Sequence, residues 1–221
     1  MLAFKEIWGN KVLKKVLCVD LGSVLIDFDE KHVARLLKKN RIKRFVENDI
    51  VAHDKGLLSL WELYQKAKFE KYFSREVLWE EFVLAYNKCI IGVHEPMYET
   101  LLGLKTRGVR LVCVTDNNHF AFAQTTMKCP KIFPLFRENK KDQIVLSYEL
   151  HSLKEDGNPF VHAPKMHGFA NEEACFVDDH EYNFLPAIAN GFDQDACFLY
   201  KIKSKHNHAQ FLKFLARHFP S

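Results

Sequence analysis

Short unbroken apolar runs alternate along the chain with segments whose apolar residues recur every three or four positions. The runs at 16–20 (VLCVD), 110–115 (RLVCVT), 144–146, 174–178 (ACFVD) and 196–200 (ACFLY) are rich in β-branched or aromatic residues. Continuous rather than alternating apolarity is what strands buried on both faces of a parallel sheet require. Helical patterns separate these runs at 95–107, with Pro96 near the start, at 181–190 and at 207–218. The alternation predicts an α/β fold built on an open parallel sheet.

The stretch 30–92 reads differently. It holds no convincing strand, and its apolar residues keep helical spacing. Val33, Leu36 and Leu37 form one stripe. Leu57, Leu60, Trp61 and Tyr64 form a second. Val77, Leu78, Phe82, Ala85 and Tyr86 form a third, with Ser74 as its expected N-cap. The expected organisation is therefore an α/β core from 1–29 and 93–221, interrupted by an all-helical unit at 30–92.

Composition narrows the class without fixing it. Apolar residues make up 48% and charged residues 27%, which excludes bulk disorder. A formal charge of +4 is too mild to argue for nucleic acid. Seven basic residues and no acid lie between Lys31 and Val46, which suits a solvated helix face or a rim attracting an anionic substrate. No aromatic residues interleave with those charges as base stacking needs, so no nucleic-acid partner is expected. No run is long enough to span a bilayer, and the MLAFKEIWGNK start lacks the pattern of a secretion signal. No Cys-x-x-Cys pair occurs, and Cys18, Cys113 and Cys175 sit inside strand-like runs. Six reduced, structural cysteines and a cytoplasmic protein are expected. His206 and His208, in KSKHNH, read as the start of a solvated helix rather than a metal site.

In an open parallel sheet, ligands bind in the crevice at the carboxyl ends of the strands. The first strand ends at Asp20, the second at Thr115, followed by Asp116, Asn117 and Asn118, and a later one at Asp178-Asp179. Lys154 lies in a polar loop between them. Three carboxylates offer hard oxygen ligands to Mg²⁺. A hydroxyl and an ammonium bind the non-bridging oxygens of a phosphoryl group, where charge accumulates in transfer. One aspartate is left to attack phosphorus.

This ordered set resembles the four motifs of the haloacid dehalogenase (HAD) superfamily, over essentially the whole chain. Asp20-Leu21-Gly22-Ser23-Val24 is similar to the first motif, Thr115 to the second, Lys154 to the third and Asp178-Asp179 to the fourth. The form of the first motif and the following Leu25-Ile26-Asp27-Phe28-Asp29 most resemble α-D-glucose-1-phosphate-type phosphatases. The resemblance implies a Rossmann-like core with a helical cap inserted after the first motif. It also implies a Mg²⁺-dependent phosphatase for a small phosphorylated metabolite, monomeric or homodimeric, with no membrane partner. Asp20 would be the nucleophile; Asp20, Gly22, through its carbonyl, Asp178 and Asp179 would hold the metal. Thr115, Asp116, Asn117 and Lys154 would bind phosphate or substrate, with Asn118 a further candidate; a turn role is the alternative for Asn117 and Asn118. Asn183 would orient Lys154 or the metal site.

Two positions depart from the pattern. Gly22 stands where the wider family has an aspartate acting as general acid and base, although the glucose-1-phosphate-type relatives share the glycine. Glu155 stands where proline is common. Loss of that acid removes on the order of 10²–10⁴-fold in proton transfer, with Asp27 or Asp29 as candidate replacements. An alternative reading is a catalytically weak relative that binds a ligand or partner. Carbon–halogen hydrolysis is a third, disfavoured because it needs no metal and leaves the paired aspartates unexplained.

Overall fold

A computed structural model describes residues 14–220. The MLAFKEIWGNK segment lies outside the described residues. Five strands form a parallel sheet: β1 (Val16–Val19), β4 (Arg110–Thr115), β7 (Ile144–Leu146), β8 (Ala174–Asp178) and β9 (Cys197–Leu199). Their order across the sheet is β7-β4-β1-β8-β9. Val19 is in register with Cys113 on one side and Val177 on the other. All residues of β1 and β8 are buried, as their continuous apolar runs require. Two small antiparallel pairs stand apart: β2 (Ile26–Phe28) with β3 (Ile90–Val93), and β5 (Arg137–Glu138) with β6 (Lys141–Asp142).

Flanking helices cover both sheet faces. On one side Leu17, Val19, Cys113 and Val177 pack with α6 (Glu95–Thr106) and α11 (Lys205–His218) through Met97, Leu101, Phe211 and Phe214. On the other, Val16, Cys18, Val114 and Phe176 pack with α9 (Asn158–His167) and α10 (Phe184–Ala189) through Phe160, Ala163 and Ala187. From β1 the chain steps to β4 and β7 on one side, then returns to β8 on the other. The reversal opens a crevice at the carboxyl ends of β1 and β8.

Between β2 and β3 lie the short helices α1 (Lys31–Ala34), α2 (Ile42–Arg44) and α3 (Val51–Asp54), then α4 (Leu60–Phe69) and α5 (Trp79–Lys88). They enclose their own apolar cluster, in which Phe45, Tyr64, Tyr72, Phe73 and Phe82 pack ring against ring. The helical spacing located this cluster but mis-set two stripes. A hydrogen-bonded box between Ser59 and Glu62 starts α4 at Leu60, so Leu60, Leu63, Tyr64 and Ala67 face inward, while Leu57 and Trp61 are exposed. Ser74 does not cap α5. Its hydroxyl donates to the Leu36 carbonyl, and Leu78 occupies the N-cap position, exposed. The stretch also contains a strand: β3 begins at Ile90, where pairing with β2 sets the conformation that local spacing had not revealed. No helix among the described residues is long and apolar enough to cross a membrane.

Candidate active site

Register places the chemistry. Asp20 follows the last residue of β1, its backbone N–H donating to the Val177 carbonyl at 2.9 Å. Asp178 ends β8 one strand away, and Thr115 ends β4 on the opposite side of β1. Asp20, Thr115 and Asp178 are all buried. Lys154 enters from a tight turn that Asp156 closes by accepting from Leu153 N–H at 2.8 Å. The Lys154 backbone N–H donates to Asp116 Oδ1 at 2.9 Å, tying this turn to the loop after β4. Its ammonium then bridges the two strand tips, 2.8 Å from Asp20 Oδ1 and 2.5 Å from Asp178 Oδ2.

The two aspartates are held differently. Asp178 Oδ1 also accepts from His180 N–H at 2.8 Å and Asn183 Nδ2 at 3.0 Å. Among the described residues, the Asp20 carboxylate has only the lysine. Burial, aided by Asp178 and Asp179 and opposed by Lys154, pushes the Asp20 carboxyl up to about 8. Burial works to lower the Lys154 ammonium, but Asp178, Asp20 and Asp116 together hold it well above its ordinary value.

Asp20, Asp178 and Asp179 bring one carboxylate oxygen each to within 4.8 Å of one another. With Asp116 beside them, four carboxylates face a single buried ammonium, an imbalance that low-polarity surroundings penalise heavily. Asn183 Oδ1 is buried next to this group with no hydrogen-bond partner among the described residues. Hard oxygen donors in excess of positive charge fit a divalent cation such as Mg²⁺. Asp27 and Asp29 lie on the β2 side: Asp29 accepts from Lys31 N–H at 3.1 Å, and Asp27 sits on the strand paired with Gly92.

The residues after Thr115 divide their tasks. The Asp116 side chain serves the lysine turn, which leaves a phosphoryl group no cationic or donor atom on that side chain. Asn117 accepts from Asn118 N–H at 2.9 Å, and its own N–H donates to Ser147 Oγ at 2.8 Å. Asn118 is buried and fully engaged: Oδ1 caps α7 (His119–Lys128) by accepting from Ala121 N–H, while Nδ2 donates to Asp54 Oδ1 at 2.8 Å and Tyr86 OH at 3.1 Å. Its amide is therefore spent on structure, the turn role and not the substrate contact of the two roles open to it. Asp54 was not singled out from the sequence. The Ser59–Glu62 box downstream was the available signal that an ordered turn precedes α4.

Gly22 is not in the left-handed region; Ser23 is, at φ 54°. A Cβ added at Gly22 meets nothing within 4 Å. The tight turn is closed by Leu25 and Ile26 N–H groups on the Leu21 carbonyl, so the glycine is not demanded by backbone geometry.

No family model and no curated protein matches the chain. Solved structures do. A HAD family enzyme from Bacteroides thetaiotaomicron superposes with a TM-score of 0.70 at 21% identity, covering 89% of this chain and 98% of that one. The chain has the HAD fold. The same bacterial enzyme in complex with magnesium and inorganic phosphate gives a TM-score of 0.69 at 20% identity, again covering 89% and 98%. A HAD-like family hydrolase from Porphyromonas gingivalis gives 0.70 at 17% identity, covering 91% and 98%. Asp20, Thr115 and Asp178-Asp179 lie at strand ends and Lys154 in a turn between β7 and β8.

Proposed function

We propose that the chain is a HAD superfamily phosphatase that hydrolyses a small phosphorylated metabolite with Mg²⁺, the insert between β2 and β3 serving as its cap. The observation that carries this reading is the buried Lys154 ammonium bridging Asp20 and Asp178, with Asp179 beside them. Magnesium and phosphate in the Bacteroides enzyme of the same fold support it. Asp20, Asp178 and Asp179 would hold the metal, with the Gly22 carbonyl as a further oxygen. Bound there, the ion neutralises carboxylate charge and polarises the phosphoryl group.

The chain's own residues supply the remainder. An Asp20 carboxylate oxygen attacks phosphorus, the bond from phosphorus to the leaving oxygen breaks, and an aspartyl phosphate forms. Water then attacks that phosphorus and releases phosphate, regenerating Asp20. Lys154 and the Thr115 hydroxyl bind non-bridging oxygens, and Asp116 fixes the lysine turn through its backbone. Asn183 holds Asp178 in place. With Gly22 offering no acid, the leaving oxygen takes its proton from solvent, which favours good leaving groups such as anomeric or aryl oxygens.

The test is hydrolysis of p-nitrophenyl phosphate with and without Mg²⁺. Metal-dependent release of phosphate is the expected result. A folded protein inert in both conditions supports a ligand-binding relative and overturns the reading.

A further inference from the structure

The insert meets the core crevice along one polar seam running from Asp54 to Gly56. Ser147 Oγ, at the start of α8 (Ser147–Leu150), donates to the Asp54 carbonyl at 2.6 Å. His151 Nδ1 donates to the Lys55 carbonyl at 2.9 Å, and Lys55 Nζ pairs with Asp156 at 2.7 Å. Gly56, at φ +69°, lies so close to α8 that a Cβ there would meet the Tyr148 carbonyl at 2.7 Å. The seam therefore fixes the Asp54 side chain, which the insert turns, together with Tyr86, toward the loop after β4. Asn118 Nδ2 holds its Oδ1, and its Oδ2 has no hydrogen-bond partner among the described residues.

Charge around this carboxylate runs one way. Asp116 lies near enough to raise the Asp54 carboxyl further, after burial, to about 7. The cations of the site and of the seam are already committed: Lys154 lies between Asp20 and Asp178, and Lys55 pairs with Asp156. The basic run from Lys31 to Arg44 does not supply the missing cation. Lys43 and Arg44 pair within the insert, with Glu47 and Glu70, and no ion pair or side-chain hydrogen bond among the described residues joins the run to this seam.

Resting on the phosphatase reading above, we infer that Asp54 selects the leaving group. The cap presents a free carboxylate oxygen, which fits a leaving group bearing hydroxyl or ammonium donors and opposes one bearing a second phosphate or a carboxylate. A donor satisfies Oδ2 and relieves a crowded negative charge, whereas a second anion compounds it.

The experiment compares kcat/KM for two six-carbon substrates of opposite charge, glucosamine 6-phosphate and 6-phosphogluconate, on the full chain with Mg²⁺. Where either is turned over too slowly, its inhibition constant against p-nitrophenyl phosphate replaces kcat/KM. The natural protein should favour the amine by at least about tenfold, the factor set by ~1.4 kcal/mol. Asp54→Asn keeps an acceptor for Asn118 and should bring the ratio close to one, and Asp54→Lys should invert it. Because only ratios are compared, a general loss of activity cancels. A ratio near one in the natural protein, or one unchanged in Asp54→Asn, overturns the inference while leaving the phosphatase reading intact. Absence of Mg²⁺-dependent p-nitrophenyl phosphate hydrolysis overturns the phosphatase reading, and this inference with it.

Discussion

The tips of β1 and β8 carry the same residue and treat it in opposite ways. Asp178 is gripped by three donors from two segments: the Lys154 ammonium from its own turn, and the His180 N–H and the Asn183 amide from the turn after β8. Among the described residues, Asp20 has the ammonium alone, and the turn beyond it opens at Gly22 onto empty space. A group that must hold an ion gains from fixed geometry, because each added donor limits where its oxygens can go. A nucleophile must move toward its target, and a carboxylate tied by several hydrogen bonds is both less mobile and less reactive. The difference between two aspartates on adjacent strands thus separates a fastened role from a free one.

The comparison breaks most visibly at Asp20. Asp20→Asn should keep the fold and lower kcat by at least about 10³-fold in a steady-state phosphate-release assay. Residual activity within tenfold of the natural protein would remove Asp20 from the nucleophile's place. The paired aspartates after β8 should then split in stability. Asp178→Ala leaves Lys154 paired with Asp20 but strips the His180 N–H and the buried Asn183 amide of their acceptor, and should cost about 1–3 kcal/mol in denaturant unfolding. Asp179→Ala, at a half-buried position with a raised carboxyl beside Asp178, should be neutral or stabilising without metal. Equal losses in both would mean that the three-donor grip on Asp178 carries no special weight.

Gly22→Asp sharpens the contrast by placing an acid in the open turn. With room for its Cβ and no left-handed backbone, the variant should fold normally. It should raise turnover of alkyl phosphates relative to aryl phosphates by up to about 10²-fold. A flat ratio would assign proton donation to another group. The smallest effect concerns pH. Burial raises the Asp54 carboxyl in the folded protein from the ordinary carboxylate range, about 4, to about 7. The folded state therefore holds a proton that the unfolded chain releases earlier, and this contribution is lost as pH climbs between those values. Melting temperatures of Asp54→Asn, which lacks the titration, should rise relative to the natural protein on going from pH 5 to pH 8. A constant difference would contradict it.

Much of this arrangement was legible in the residues. Five apolar runs marked the sheet because strands covered on both faces tolerate few polar residues, and the polar residues closing three of them fell at the crevice. Asp20, Thr115 and Asp178 could be found this way. The pairing of β2 with β3 could not, because contact between residues about 65 positions apart leaves little local pattern. Two insert helices were mis-phased for a related reason: Trp61 and Leu78 are apolar yet exposed, and hydrophobicity alone does not say which stripe turns inward. Asp54 escaped notice because its significance lies in a hydrogen bond to Asn118, 64 residues away.

The thiols of the chain are distributed in a way that makes unfolding observable in parts. Cys113, Cys129 and Cys175 lie in the apolar layer on one side of the sheet, Cys18 in the layer on the other, and Cys89 in the insert's aromatic cluster. All five are buried and none is paired, and burial raises each thiol above its ordinary range. Each becomes open to alkylation only when the packing around it comes apart. Timed labelling read by peptide mass would then give separate clocks for the two sheet faces and for the insert, reporting whether the molecule melts as one unit or sheds its helical lobe first.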